Sequence, residues 1–269
     1  MSPPGLIRTL RRRSWLLLLP VFTIALWWAQ QERIGSVDEV FPDGTLTIGI
    51  DPSYAPFGSI MDDTFIGIDV ELGKAVAALL GLEARFVMVN FDSAFDAVRT
   101  HVADVSFAAI RAADVTPADV SYTWGYLNDG LLLISDDEID SGWDLAGKHV
   151  AVELGARGHA EARRWSRRVR DLTIVTFESA ELALRSVTEF VVADAAIVDA
   201  MTARQYADQI AACCHADYLT AEFYAGAVSA DRHDVLYHVN NALLVLLNDS
   251  TIDRLLTEFI GPDPAARAP

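Results

Sequence analysis

Gly49-Ile50-Asp51-Pro52-Ser53-Tyr54-Ala55-Pro56-Phe57, with Gly67-Ile68-Asp69-Val70-Glu71-Leu72 after it, is the stretch on which the fold turns. Thr45 to Ile50 reads as a strand, and it ends in an acid, an aromatic and two prolines. Proline fixes φ, so Asp51 and Tyr54 are expected on a stiff loop at the carboxyl end of that strand. Open α/β sheets bind small molecules at this edge. Gly67 to Gly81 then reads as a helix, with Ile68, Leu72, Val76, Leu79 and Leu80 on one face.

Downstream the alternation continues. Arg85 to Val89 predicts a strand, Phe91 to Val102 a helix, and Asp104 to Ile110 a third strand. Strand–helix–strand alternation implies a parallel sheet with right-handed crossovers. The pattern restarts at Leu131 to Ser135, with Asp136 to Gly147 as a polar connection. Val150 to Glu153, Thr173 to Phe177 and Ala195 to Val198 follow as strands. Helices are expected at Gly158 to Val169 and Ala180 to Thr188. Tyr224 to Ser229 is a last strand, and Val235 to Phe259 supplies the final helices. The expected organisation is an N-terminal segment (1–33), a linker (34–44), a first lobe (45–130 and 225–261), a second lobe (131–224) and a flexible tail (262–269). A cleft should lie between the lobes, closing by hinge motion.

The 269 residues carry a formal charge of −17, which excludes nucleic acid as a partner. The basic residues are nearly all Arg; Lys74 and Lys148 are the only lysines. Cys213 and Cys214 are adjacent, so no disulfide framework exists. They read as two small, partly buried residues, with a vicinal disulfide or a soft-metal contact alongside His215 as alternatives. The histidines are scattered, without an i, i+4 pair, and there is no Gly-x-Ser-x-Gly or phosphate-cradling Gly-x-x-x-x-Gly-Lys motif. No metal and no cofactor is expected.

Arg8, Arg11, Arg12 and Arg13 precede the apolar run Trp15 to Ala29, a secretory signal or a signal anchor by pattern. The run is about 15 residues, short of the roughly 20 that span a bilayer. A clean small-x-small cleavage site is missing, which favours an uncleaved anchor. In either case the body is expected outside the cytoplasmic membrane, linked to it through this segment.

From about Leu46 to Phe259 the chain resembles the polar amino-acid family, family 3, of bacterial extracytoplasmic solute-binding proteins. The resemblance is carried by the Asp51–Phe57 loop, by Gly147-Lys148-His149-Val150-Ala151-Val152 with Gly155, by Thr176 to Leu184, and by Asp194-Ala195-Ala196-Ile197-Val198-Asp199. It implies a two-lobed α/β fold of the type II periplasmic-binding-protein kind, an amino acid or similar small solute as ligand, and an ABC transporter permease as partner. It implies roles as well. Asp199 would accept hydrogen bonds from an ammonium, Tyr54 and Phe91 would sandwich the ligand's side chain, and Asp51 would lie near its far end. Ala109, at the end of the third strand, would line the site, and amides near Gly155 to Gly158 would meet a carboxylate. Each residue also has a plainer reading: Asp199 as a helix cap, Phe91 as core, and Asp51 as a turn former.

One departure stands out. The family's carboxylate-clamping Arg has Thr116 in its place here, and a hydroxyl does not replace a guanidinium. Arg111 and Arg157 occupy neighbouring ligand-facing positions and are the candidates to take over the anionic end. Their plainer reading is surface charge. Two other functions compete with transport: a membrane-tethered sensory or orphan binding domain, and a cyclohexadienyl-dehydratase-like enzyme with Glu153 as general acid. The expectation is a binder rather than an enzyme.

Overall fold

The computed structural model describes residues 34–112, 117–135, 139 and 141–266. The N-terminal signal or anchor and Thr116 lie outside the described residues. Two five-stranded sheets organise the body. The first contains β1 (Thr45–Ile50), β4 (Glu83–Met88), β5 (Val105–Ser106), β6 (Val120–Asn128) and β12 (Phe223–Ser229), in the order β4-β1-β5-β12-β6. The second runs β11-β7-β10-β8-β9, from β7 (Leu131–Ser135), β8 (His149–Glu153), β9 (Thr173–Phe177), β10 (Ala195–Asp199) and β11 (His215–Tyr218). A small hairpin, β2 (Ser59–Met61) with β3 (Thr64–Ile66), follows the Asp51 loop.

Both sheets are mixed, where the alternation predicts parallel ones. β1, β4 and β5 are parallel, but β12 runs antiparallel to β5 and β6. In the second sheet β8, β9 and β10 are parallel, and β7 alone runs against them, since β11, antiparallel to β7, points the same way as β10. The strands that oppose their sheets, β7 and β12, are each the first strand after a crossing. Each is reached without an intervening helix, whereas the parallel neighbours within each sheet are joined by helical crossovers.

Helices cover both faces of each sheet, so the strands are apolar on both sides. In β7, Leu132 and Ile134 face one core, with α5 (Ala180–Thr188), α6 (Ala200–Gln205) and α7 (Ala207–Cys213). Leu131 and Leu133 face the other, with α4 (Arg157–Trp165). In the first sheet Leu46, Ile48 and Ile50 pack with α2 (Ile68–Leu80), α8 (His233–Asn248) and α9 (Thr251–Ile260). The opposite face meets α3 (Ala94–Arg99). Of the face predicted for α2, Leu79 turns out 47% exposed.

Several expectations change. Residues 34–44 are not a bare linker: they form the turn α1 (Val37–Val40) and seat Phe41 in the first core. Nor is 262–266 a loose tail, because Asp263 accepts a hydrogen bond from the Tyr218 hydroxyl (3.0 Å) and lies 3.3 Å from Arg204. β12 begins at Phe223, so the first sheet takes two residues that were assigned to the second lobe. Cys213 and Cys214, read as free, are joined in a disulfide at the end of α7.

The chain crosses between the sheets at residues 128–131 and again at 219–223, and the crossings are tied together. Asn128 Oδ1 accepts from the Gly130 and Glu222 N–H groups, both at 3.0 Å. Asp129 N–H donates to Glu222 O (2.7 Å), and Leu131 N–H to Thr220 Oγ1 (2.9 Å). Gly130 has no room for a side chain, since a Cβ there would run into the Thr220 carbonyl.

Candidate functional site

At the carboxyl edge of β1 and β5 the backbone departs from the ladder. β5 pairs over only two residues, where a strand reaching Ile110 was expected. Beyond it, Ala109 adopts φ 49°, a left-handed conformation. That conformation is held from below by a buried acid. Asp69, 1% exposed, accepts from Ala109 N–H (2.8 Å) and from the Tyr126 hydroxyl (2.6 Å). Burial pushes the Asp69 carboxyl up to about 7, against the lowering effect of those two hydrogen bonds. The turn brings Ala108 to Arg111 round to face the Asp51 loop.

The loop itself is fastened to the start of α2. Ile68 and Asp69 N–H donate to the carbonyls of Pro56 and Phe57, each at 3.0 Å. Gly67, at φ 130°, makes this approach possible, because a Cβ there would collide with the Phe57 carbonyl. Asp51 is 6% exposed, and its Oδ1 accepts from Ser53 N–H (2.9 Å) and Ser53 Oγ (2.6 Å).

Between these segments lies a cavity of about 680 Å³, within the range typical of small-molecule sites. Asp51, Tyr54, Phe91, Ala109 and Arg111 line it together. Tyr54 and Phe91 are 51% and 60% exposed, so Phe91 is not core. Ser53, Phe95, Pro117, Tyr122 and Tyr224 complete the wall, and sequence reasoning missed them. Tyr122 was invisible because the whole of β6 was unread. Tyr224 was read as a strand residue, with nothing to mark its ring as facing a hollow. An aromatic stack continues beneath the rim: Tyr54 on Phe57 (5.7 Å), Phe57 on Tyr224 (4.8 Å), and the Arg111 guanidinium over Tyr224 (5.4 Å).

Arg157 and Asp199 lie outside this lining. Arg157, the first residue of α4, meets Arg111 at a common acid between the sheets. Asp129 Oδ2 is 2.9 Å from Arg111 Nη2 and 3.0 Å from Arg157 Nη2, and its Oδ1 accepts from Met201 N–H (3.3 Å). Glu222 adds a second bridge, 2.6 Å from Arg157 Nη1 and 3.6 Å from Arg111 Nη1. Burial raises the Asp129 carboxyl above its ordinary value; Asp199 adds to the rise, while Arg157 and Arg111 oppose it. Asp199 caps α6, accepting from Thr202 N–H (2.8 Å) and from the Thr202 hydroxyl. Asp129 and Glu222 were not singled out in the sequence. Glu153, the candidate acid for a dehydratase, ends β8 and is not among the cavity residues. Among the described residues no cluster of His, Cys, Asp or Glu is arranged to hold a metal, and no helix is long and apolar enough to cross a membrane.

Comparison with known proteins agrees with this architecture. A probable histidine-binding protein of Campylobacter jejuni is 32% identical over 114 residues, 41% of this chain and 44% of that one. The chain thus matches less than half the length of that relative. The ABC transporter arginine-binding protein 1 of Escherichia coli is 25% identical over 225 residues, 80% of this chain and 90% of that one. Among solved structures, an ancestral cationic amino acid solute-binding protein superposes with a TM-score of 0.57 at 27% identity, covering 84% of this chain and all of that one. The family profile of bacterial extracellular solute-binding proteins, family 3, matches residues 46–262, and with two helix-flanked sheets joined by a double crossing, the chain belongs to that family.

Proposed function

We propose that this protein captures an amino acid or related small polar solute outside the cytoplasmic membrane and presents it to the permease of an ABC transporter. Binding would draw the two lobes together about the 128–131 and 219–223 crossings, a population shift toward the closed state that stabilises the ligand. The first lobe holds the solute in the cavity at its strand edge, through Asp51, Tyr54, Phe91, Ala109 and Arg111. Arg157 and Asp199 approach from the second lobe. The observation that carries this reading is that Asp51, Tyr54, Phe91, Ala109 and Arg111, from three segments of the chain, line one hollow of ligand size. Binding rather than catalysis is favoured because the relatives are named as binding proteins. The N-terminal segment would keep the body at the outer face of the membrane.

A thermal-shift screen of the protein against amino acids, amines and dicarboxylates tests the proposal. A ligand present at about 100 times its Kd should add roughly 2.7 kcal/mol of apparent stability. At least one solute is expected to raise Tm by several degrees. A flat response across the whole set would remove the reading.

A further inference from the structure

We propose that the cavity selects an organic cation without a carboxylate, an amine, guanidine or quaternary ammonium, in preference to a zwitterion. The inference rests on the solute-binding reading above and specifies the charge its site accepts. A zwitterion needs a cation of the protein for its carboxylate, and the guanidiniums of Arg111 and Arg157 are both drawn into ion pairs with Asp129 and Glu222. Arg111 bonds Asp129 through Nη2 (2.9 Å) and the Tyr224 hydroxyl through Nε (3.3 Å), and its Nη1 lies 3.6 Å from Glu222. Arg157 spends Nη2 on Asp129 Oδ2 (3.0 Å), and Nη1 on Glu222 (2.6 Å) and the Asp129 carbonyl (3.1 Å). Arg99, which packs on Phe95, is paired with Asp96 and Asp119, both at 2.8 Å. The sequence between Ala112 and Pro117 supplies no basic side chain.

The acids are not matched in the same way. Asp129 and Glu222 already balance the two guanidiniums, and Asp51 stands on the cavity wall without an ion pair among the described residues. Asp199 lies near enough to Asp129 to add to the rise of its carboxyl, so the second-lobe side is acidic too. The local field therefore favours a positive guest. Asp51 keeps Oδ2 for that guest, since Ser53 takes only Oδ1. The walls suit the same guest: Tyr54, Phe91, Phe95, Tyr122 and Tyr224 surround the hollow, and aromatic faces attract cations. Asp129 acts as an internal counterpart of a ligand carboxylate, 3% exposed at its side chain and fixed by two lobes at once.

Matched pairs test this on the full chain by calorimetric titration: L-arginine against agmatine, L-lysine against cadaverine, and L-histidine against histamine. In at least one pair the amine should bind tenfold or more tightly than its amino acid. Equal or tighter binding of the amino acid in every pair that binds would show a carboxylate held elsewhere and overturn the inference, leaving the solute-binding proposal intact. Binding of no member overturns the inference as well, while a flat thermal-shift screen is what would remove the broader reading. Asp129→Asn, which frees the guanidinium pair at nearly constant volume, should move the preference at least tenfold toward the amino acid. Glu222→Gln serves as the parallel variant if Asp129→Asn fails to fold, and an unmoved ratio in the folded variant overturns the role given to Asp129.

Discussion

Asp69 sits buried in the first turn of α2, and two buried donors depend on it. Removing a partner from a buried donor costs about 1–3 kcal/mol each, so Asp69→Ala should lower stability by about 2–6 kcal/mol in urea unfolding at pH 5. Loss of the Ala109 turn should also weaken ligand binding. The same residue sets a pH dependence. Its folded value of about 7 stands above the ordinary 3.8, so the folded protein holds this proton more tightly than the unfolded chain. The stability it contributes is fully present below about pH 4 and is lost as pH rises toward 7. Unfolding midpoints measured from pH 4 to 7 should decline more steeply for the wild type than for Asp69→Asn; parallel curves would contradict the assignment. Asp51 and Tyr54 were legible because prolines and an acid after a strand are a local signal. Asp69 was not, although it stood in the quoted motif, because an acid in a helix's first turn is ordinarily read as a solvated partner of the helix dipole.

At the scale of elements, the legible parts are those whose identity is written in their own residues. Thr45–Ile50, Leu131–Ser135, Thr173–Phe177 and Ala180–Thr188 begin and end where pattern alone places them. Each is a short apolar or amphipathic run bounded by turn residues. β6 escaped because Val120–Asn128 mixes Ser, Thr, Asn and Gly with its aromatics. It becomes a strand by pairing with β12, more than ninety residues along the chain, and local composition does not encode that partner. The α6 cap gives this scale its experiment. Asp199→Ala removes the bond to Thr202 N–H and should cost about 1 kcal/mol of stability. If Asp199 also receives a ligand ammonium when the lobes close, Kd should rise at least tenfold in the same variant. A stability loss with unchanged Kd would leave it a cap alone.

Over the whole molecule, the C-terminal segment joins the helices under the first sheet to those beside the second. Arg204, 5% exposed on α6, donates to the Gly261 carbonyl (2.8 Å) and pairs with Asp263 (3.3 Å). Arg204→Met should therefore destabilise by about 1–3 kcal/mol and raise hydrogen exchange and protease cutting at 261–266. Unchanged protection there would show that the segment is held by other contacts. The two-lobed plan was readable from the restart of the strand pattern, yet this tie was not, since Gly261 to Ala266 offers mainly prolines and small residues to a reader of sequence. Asn128 carries a different consequence. One amide oxygen accepts hydrogen bonds from N–H groups of both passages of the chain, so the passages are pinned to a common point. Such a pin opposes sliding of one half past the other more than rotation, so Asn128→Ala should loosen both passages together and raise hydrogen exchange at Gly130 and Glu222.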